Sequence, residues 1–171
     1  MTLKAMTLCL ILLVVGMFVS CDSGTGGALP TTSPLWRIDF GDAGPDLDRV
    51  ALLMELDTLA EGYGIPLEFW DDVGDTSVLI HAEGGPTGTL GRCGPGEDCE
   101  VWLRSGNVLL QSERLIALIV FHEILHSYGL SHHEAEGNLM NAEFNLFRWP
   151  VELESWQIDT VNRLINLPPA E

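Results

Sequence analysis

The eleven residues from His122 to His132 read H-E-I-L-H-S-Y-G-L-S-H, and no other stretch of the 171-residue chain restricts its structure so tightly. On a helix, His122 and His126 stand four residues apart, so both imidazoles leave one face about a turn from each other. Glu123 lies beside them on the helical wheel, able to reach a water at a metal held there without ligating the metal itself. A helix cannot bring a third nitrogen round to the same ion, so the chain must turn after His126. Gly129 is placed for that turn, because glycine accepts the positive φ that ends a helix. His132 then returns as third ligand. Three imidazoles suit tetrahedral zinc and leave one position open for water, as in catalytic zinc sites. A bare H-E-x-x-H also arises by chance on ordinary helices; the glycine and the third histidine at their spacing separate this stretch from surface histidines.

The chemistry expected of such a site is hydrolytic. Zinc on three neutral imidazoles brings its water's pKa towards about 7. Glu123 is the expected general base, taking the water's proton during attack on a carbonyl carbon and passing it to the leaving amine. Peptide-bond hydrolysis is the natural reaction, with a protein or peptide as substrate. The competing reading is a zinc-binding protein without turnover, for which a base at position 123 has no use. A third keeps the fold but shifts the enzyme class, with Glu143 or Glu152 as third ligand in place of His132.

The motif resembles that of the metzincins, and within them the matrixin-type catalytic domain, which share H-E-x-x-H-x-x-G-x-x-H and a later tight turn carrying a methionine. Here Gly137-Asn138-Leu139-Met140 is similar to that turn, with Met140 eight residues after His132. Gly84-Gly85-Pro86-Thr87-Gly88-Thr89-Leu90 resembles the glycine-rich loop before the matrixin edge strand. The resemblance runs from about Trp36 to Leu167. It implies a single α+β domain of zincin-like (metzincin) fold: a mixed, mostly parallel twisted sheet with an antiparallel edge strand, a helix packed on it, a central active-site helix, and a small C-terminal subdomain ending in a helix. It also implies that Met140 packs as a soft floor beneath the ligands, and that Glu143 to Trp149, including Phe144, Leu146, Phe147 and Trp149, walls the substrate pocket. The chain departs from the pattern where Asn141-Ala142 replaces Tyr-Pro, and no tyrosine follows the methionine; Tyr63 and Tyr128 are the only two. Where matrixins bind a structural zinc, this chain has His81 alone and Arg92, so one catalytic zinc and no structural zinc are expected. Glu83, Glu97 and Asp98 lack regular ligand spacing, which argues against calcium. His133 is expected at the surface, pointing away from the metal.

Residues 1–20 read as a lipoprotein-type signal peptide: Lys4 supplies positive charge, and the apolar run Leu8 to Val19 is too short for a stable span. Phe18-Val19-Ser20-Cys21 resembles a bacterial lipobox, with Cys21 as the lipidated residue. Asp22 to Pro34 is small, polar and rich in Pro and Gly, so residues 21–34 read as a flexible tether and 35–171 as the catalytic domain. The expected location is exported and membrane-anchored through lipid, on the periplasmic side or the cell surface, as a monomer. Lys4 is the only lysine, leaving seven arginines against twenty-five acidic residues beyond it. That balance excludes nucleic acid and anionic headgroups as natural partners.

With Cys9 in the signal and Cys21 lipidated, Cys93 and Cys99 remain as an even pair. In an exported chain they read as a disulfide closing a tight loop, contributing about 2 kcal/mol by loop entropy. The alternative is that Arg92-Cys93-Gly94, which resembles the matrixin cysteine switch, presents a zinc-blocking thiolate.

Alternation and turn signals predict strands at Trp36–Phe40, Pro66–Trp70, Val78–Ala82, Thr89–Cys93 and Glu100–Leu103. A helix opens at Pro45-Asp46, buries Leu52, Leu53, Leu56, Leu59 and Ala60, and stops at Gly62. The histidine-bearing helix starts near Ser112 and is apolar nearly all round. The last helix covers Glu152–Ile165, with Ile158, Val161 and Ile165 inward.

Overall fold

Five short segments with alternating burial pair into one sheet. The computed structural model describes residues 17–18, 29–74, 76–86, 89–105, 108–110, 112–144 and 151–166. β1 (Met17–Phe18) stands outside this sheet, which β2 (Leu35–Asp39), β3 (Glu68–Trp70), β4 (Thr76–His81), β5 (Gly91–Arg92) and β6 (Cys99–Trp102) form in the order β3-β2-β4-β6-β5. The first four are mutually parallel, with Trp36 opposite Phe69, Ile38 opposite Val78 and Ile80 opposite Val101. β5 closes the edge antiparallel, Gly91 facing Val101 and Arg92 facing Glu100. The protein is therefore α+β with a mostly parallel mixed sheet.

Period-two side-chain alternation gives the sheet two different faces. Trp36, Ile38, Val78, Ile80, Cys99 and Val101 are buried on one, while Arg37, Ser77 and Glu100 look outward. The buried face is covered by α1 (Arg49–Tyr63) and α2 (Glu113–Ser127), which pack on each other and share the Arg114–Glu55 ion pair at 2.6 Å. α2 is buried from Ile116 through Ser127, so its apolar residues meet neighbours on every side. A third helix, α3 (Ser155–Ile165), buries Gln157 and Val161, with Ile158 and Ile165 packed partly against the core.

The element ends differ from the sequence expectation for local reasons. Pro45-Asp46 falls in a 3-10 turn over Gly41–Asp46, and α1 begins later because the Asp48 carboxylate accepts the Ala51 N–H at 3.0 Å. Its stop is Gly64, at φ 67°, not Gly62, which stays helical. Leu53 is only partly buried. Ser112 is the N-cap of α2, though its hydroxyl makes no capping bond. α3 starts three residues after Glu152, where Glu154 and Gln157 form a reciprocal capping box.

The stretch read as tether is ordered in its last part. Thr31 N–H donates to the Ser127 carbonyl at 3.0 Å, and the Ser33 carbonyl accepts from the Tyr128 hydroxyl. Thr31 thus satisfies a carbonyl left orphaned at the end of α2. Cys21 and most of residues 1–28 lie outside the described residues. β1 pairs antiparallel with β9 (Glu143–Phe144), and β7 (Arg104–Ser105) with β8 (Val108–Leu109). Among the described residues no helix is long and apolar enough to cross a membrane.

Candidate metal centre

α2 carries His122 and His126 into the interior, where they are 0% and 6% exposed. The helix ends as Gly129 takes φ 82°, with Gly129 N–H donating to the His126 carbonyl at 2.8 Å and Leu130 N–H reaching back to Leu125 at 3.2 Å. That left-handed reversal is open to glycine without the Cβ clash other residues meet. It returns His132 to the helix, its ring centroid 5.4 Å from that of His122 and 4.7 Å from that of His126. One ligand atom from each of the three histidines lies within 4.8 Å of the others, and they are the one such group of three among the described residues. His132 is exposed, so the cluster opens to solvent on that side.

The same turn also orients one of the three imidazoles. Leu130, just past Gly129, offers its carbonyl to His126 Nδ1 at 2.6 Å, and the Leu139 carbonyl takes His122 Nδ1 at 2.7 Å. A carbonyl can only accept, so both Nδ1 atoms carry the proton and both Nε2 atoms present lone pairs. Those two Nε2 atoms stand 3.0 Å apart. Facing lone pairs repel, and a cation held between them removes the conflict. Burial pushes the His122 imidazole well below its ordinary range, with the neighbouring His126 adding to the effect. Burial, then His132, lowers His126 to about 4, and burial lowers His132 too. All three are in the neutral, ligating form at pH 7, so the donor set fits a metal ion.

Met140 sits fully buried in a tight turn closed by Asn141 N–H on the Asn138 carbonyl at 3.0 Å. The turn touches the cluster's supports twice: Leu139 orients His122, and the Met140 carbonyl accepts from His133 N–H at 2.8 Å. It is held in turn by α3. Asn138 Nδ2 donates to Gln157 Oε1 at 2.9 Å, Gln157 Nε2 lies 3.3 Å from Asn138 Oδ1, and that oxygen accepts Met140 N–H at 2.8 Å. Leu139 N–H and the Glu152 carbonyl add a backbone tie at 2.8 Å. Gln157→Ala should leave the buried Asn138 amide half-satisfied and lower stability by about 1–3 kcal/mol in denaturant unfolding. A change below about 0.5 kcal/mol, the range of an ordinary surface substitution, would show that the amide pair adds nothing.

Glu123 is fully buried directly after His122. Cys93 and Cys99 are joined by a disulfide, Cα atoms 4.5 Å apart, so Cys93 presents no free thiolate. His81 stacks on Trp102 at 5.8 Å and lies 3.5 Å from Glu100, which also pairs with Arg92 at 2.6 Å. His133 Nε2 is 3.2 Å from Glu154, and Glu152 is exposed. The Tyr128 hydroxyl, inside the motif, is turned away to Trp36 and Ser33. Of the glycine-rich loop, Thr87 and Gly88 lie outside the described residues, as do Leu146, Phe147 and Trp149 of the expected pocket wall. Sequence reasoning missed the Leu130 and Leu139 carbonyls and the Asn138–Gln157 pair. Backbone acceptors carry no residue-type signal, and two amides 19 residues apart have no spacing to announce them.

No protein-family model matches the chain, and no curated protein is significantly similar to it.

Proposed function

We propose that this chain is a zinc-dependent endopeptidase of metzincin type, with a zincin-like fold, exported and held at a membrane by lipid on Cys21. The observation that carries the reading is the convergence of three neutral imidazoles, two with Nδ1 committed to carbonyls, together with the buried Glu123 that directly follows His122 on the helix. His122, His126 and His132 would hold the ion. Bound zinc supplies Lewis-acid polarisation of a carbonyl and a water more acidic than bulk.

The chain's own residues do the rest. The Glu123 carboxylate accepts the proton of the attacking water and returns it to the amine nitrogen as the peptide C–N bond breaks. The Leu130 and Leu139 carbonyls keep each imidazole in the tautomer that leaves Nε2 for the ion, and strengthen it as a donor. Met140 fills space under the ligands without touching substrate. A role confined to binding metal would leave the base at position 123 without a purpose.

Incubating zinc-loaded protein with a diverse peptide library, read by mass spectrometry, tests the activity: internal cleavages that disappear with a chelator are expected. Absence of cleavage under full zinc loading would leave a binding protein. For location, Cys21→Ser should release the protein to the soluble fraction or block its processing, since acyl chains contribute about 0.8 kcal/mol per buried methylene. A variant that stays membrane-bound at normal mature size would overturn the lipid anchor.

A further inference from the structure

We propose that Gly91, backed by the Cys93–Cys99 staple, is a positioning residue that seats the Glu123 carboxylate. This rests on the role given to Glu123 above. Gly91 is buried in the edge strand β5, and its φ is not in the left-handed region, so its backbone does not call for glycine. Space does. A Cβ at Gly91 would stand 2.3 Å from Glu123 Oε1, 2.5 Å from Cδ and 2.6 Å from Cγ. Three consecutive atoms of the side chain therefore crowd the space a Cβ would take, closer than any other residue type permits.

The strand carrying that glycine is itself fixed against the same helix. Cys93, two residues on, is bonded to Cys99 at the start of β6, and the Cys99 sulfur lies 3.6 Å from the Glu123 carbonyl oxygen. In the loop between the cysteines, Gly96 N–H donates to the Ser127 carbonyl at 2.9 Å, and the Glu97 carbonyl accepts from the Ser127 hydroxyl at 3.3 Å. One hairpin thus contacts residue 123 at its main chain and along its side chain, and grips α2 one turn further on. A glutamate has several rotatable bonds, and a base works only when held within a fraction of an ångström of its productive place. The flat seat on Gly91 removes that freedom without touching the metal ligands.

Gly91→Ala in the full-length, zinc-loaded protein tests this with the best-cleaved library peptide. Displacing the carboxylate by the order of 1 Å should lower kcat about 100-fold. KM should stay within about twofold and zinc content at one per chain, because neither the ligands nor the remote substrate contacts depend on the seat. In a Glu123→Gln background the same substitution should change the residual rate by less than about threefold, since the proton acceptor is already gone. A wild-type kcat, or an equal fall in both backgrounds, would overturn the assignment.

Thermal unfolding gives an arm independent of activity. Gly91→Ala should lower Tm when Glu123 is present, and Gly91→Ala/Glu123→Ala should recover it, since the colliding atoms are removed. Equal losses in both backgrounds, or a double variant that fails to fold when Glu123→Ala alone folds, would overturn the seat. If the wild type cleaves no peptide, the endopeptidase reading fails while this unfolding cycle still decides whether Gly91 seats Glu123.

Discussion

Glu123→Gln should bind one zinc per chain, fold normally, and hydrolyse peptides about 10²–10⁴-fold more slowly than the wild type. The substitution changes almost no volume, so the close approach of the side chain to Gly91 is retained. What changes is proton chemistry. A carboxylate accepts the proton of an attacking water at neutral pH, whereas an amide oxygen is far too weak a base. kcat should fall while the metal affinity and the unfolding midpoint stay near wild type. Steady-state kinetics on one peptide beside metal analysis of the same preparation checks it. Unchanged kcat would remove Glu123 from the reaction.

His132→Ala should reduce zinc affinity by more than the roughly 10–100-fold that loss of a mere outer partner costs. His122 and His126 remain after that change, still fixed by Leu139 and Leu130. Two ligands cannot enforce a tetrahedral site, and the ion would fill its vacant positions with water. Because His132 is exposed and lies outside the helix, the fold should tolerate its loss far better than loss of the buried His122. Competition with a chromophoric chelator measures the affinity directly. Wild-type affinity in this variant would make the site a two-histidine one and discard the third ligand.

The three-histidine cluster was legible because its parts are bound by spacing. A four-residue helical interval sets His122 beside His126, and a glycine at the left-handed position allows only a few ways back, one of which delivers His132. The strands were legible from period-two burial, as in Trp36 and Ile38 against Arg37. Helix ends were less so: Gly62 is the expected stop of α1, and only the left-handed conformation of Gly64 shows the helix ending two residues later. At α3 the start depended on Gln157, whose amide serves both the capping box and Asn138. The docking of residues 29–34 was hidden by composition. Small polar residues describe a tether and equally describe a strap whose main chain, at Thr31 and Ser33, meets partners that no side-chain pattern encodes.

The proposed zinc site is tested by X-ray absorption at the zinc edge on protein loaded with one equivalent. Three imidazole nitrogens at about 2.0–2.1 Å and one exchangeable oxygen ligand, in tetrahedral geometry, are expected. A sulfur scatterer at about 2.3 Å, or fewer than three imidazoles, would contradict it.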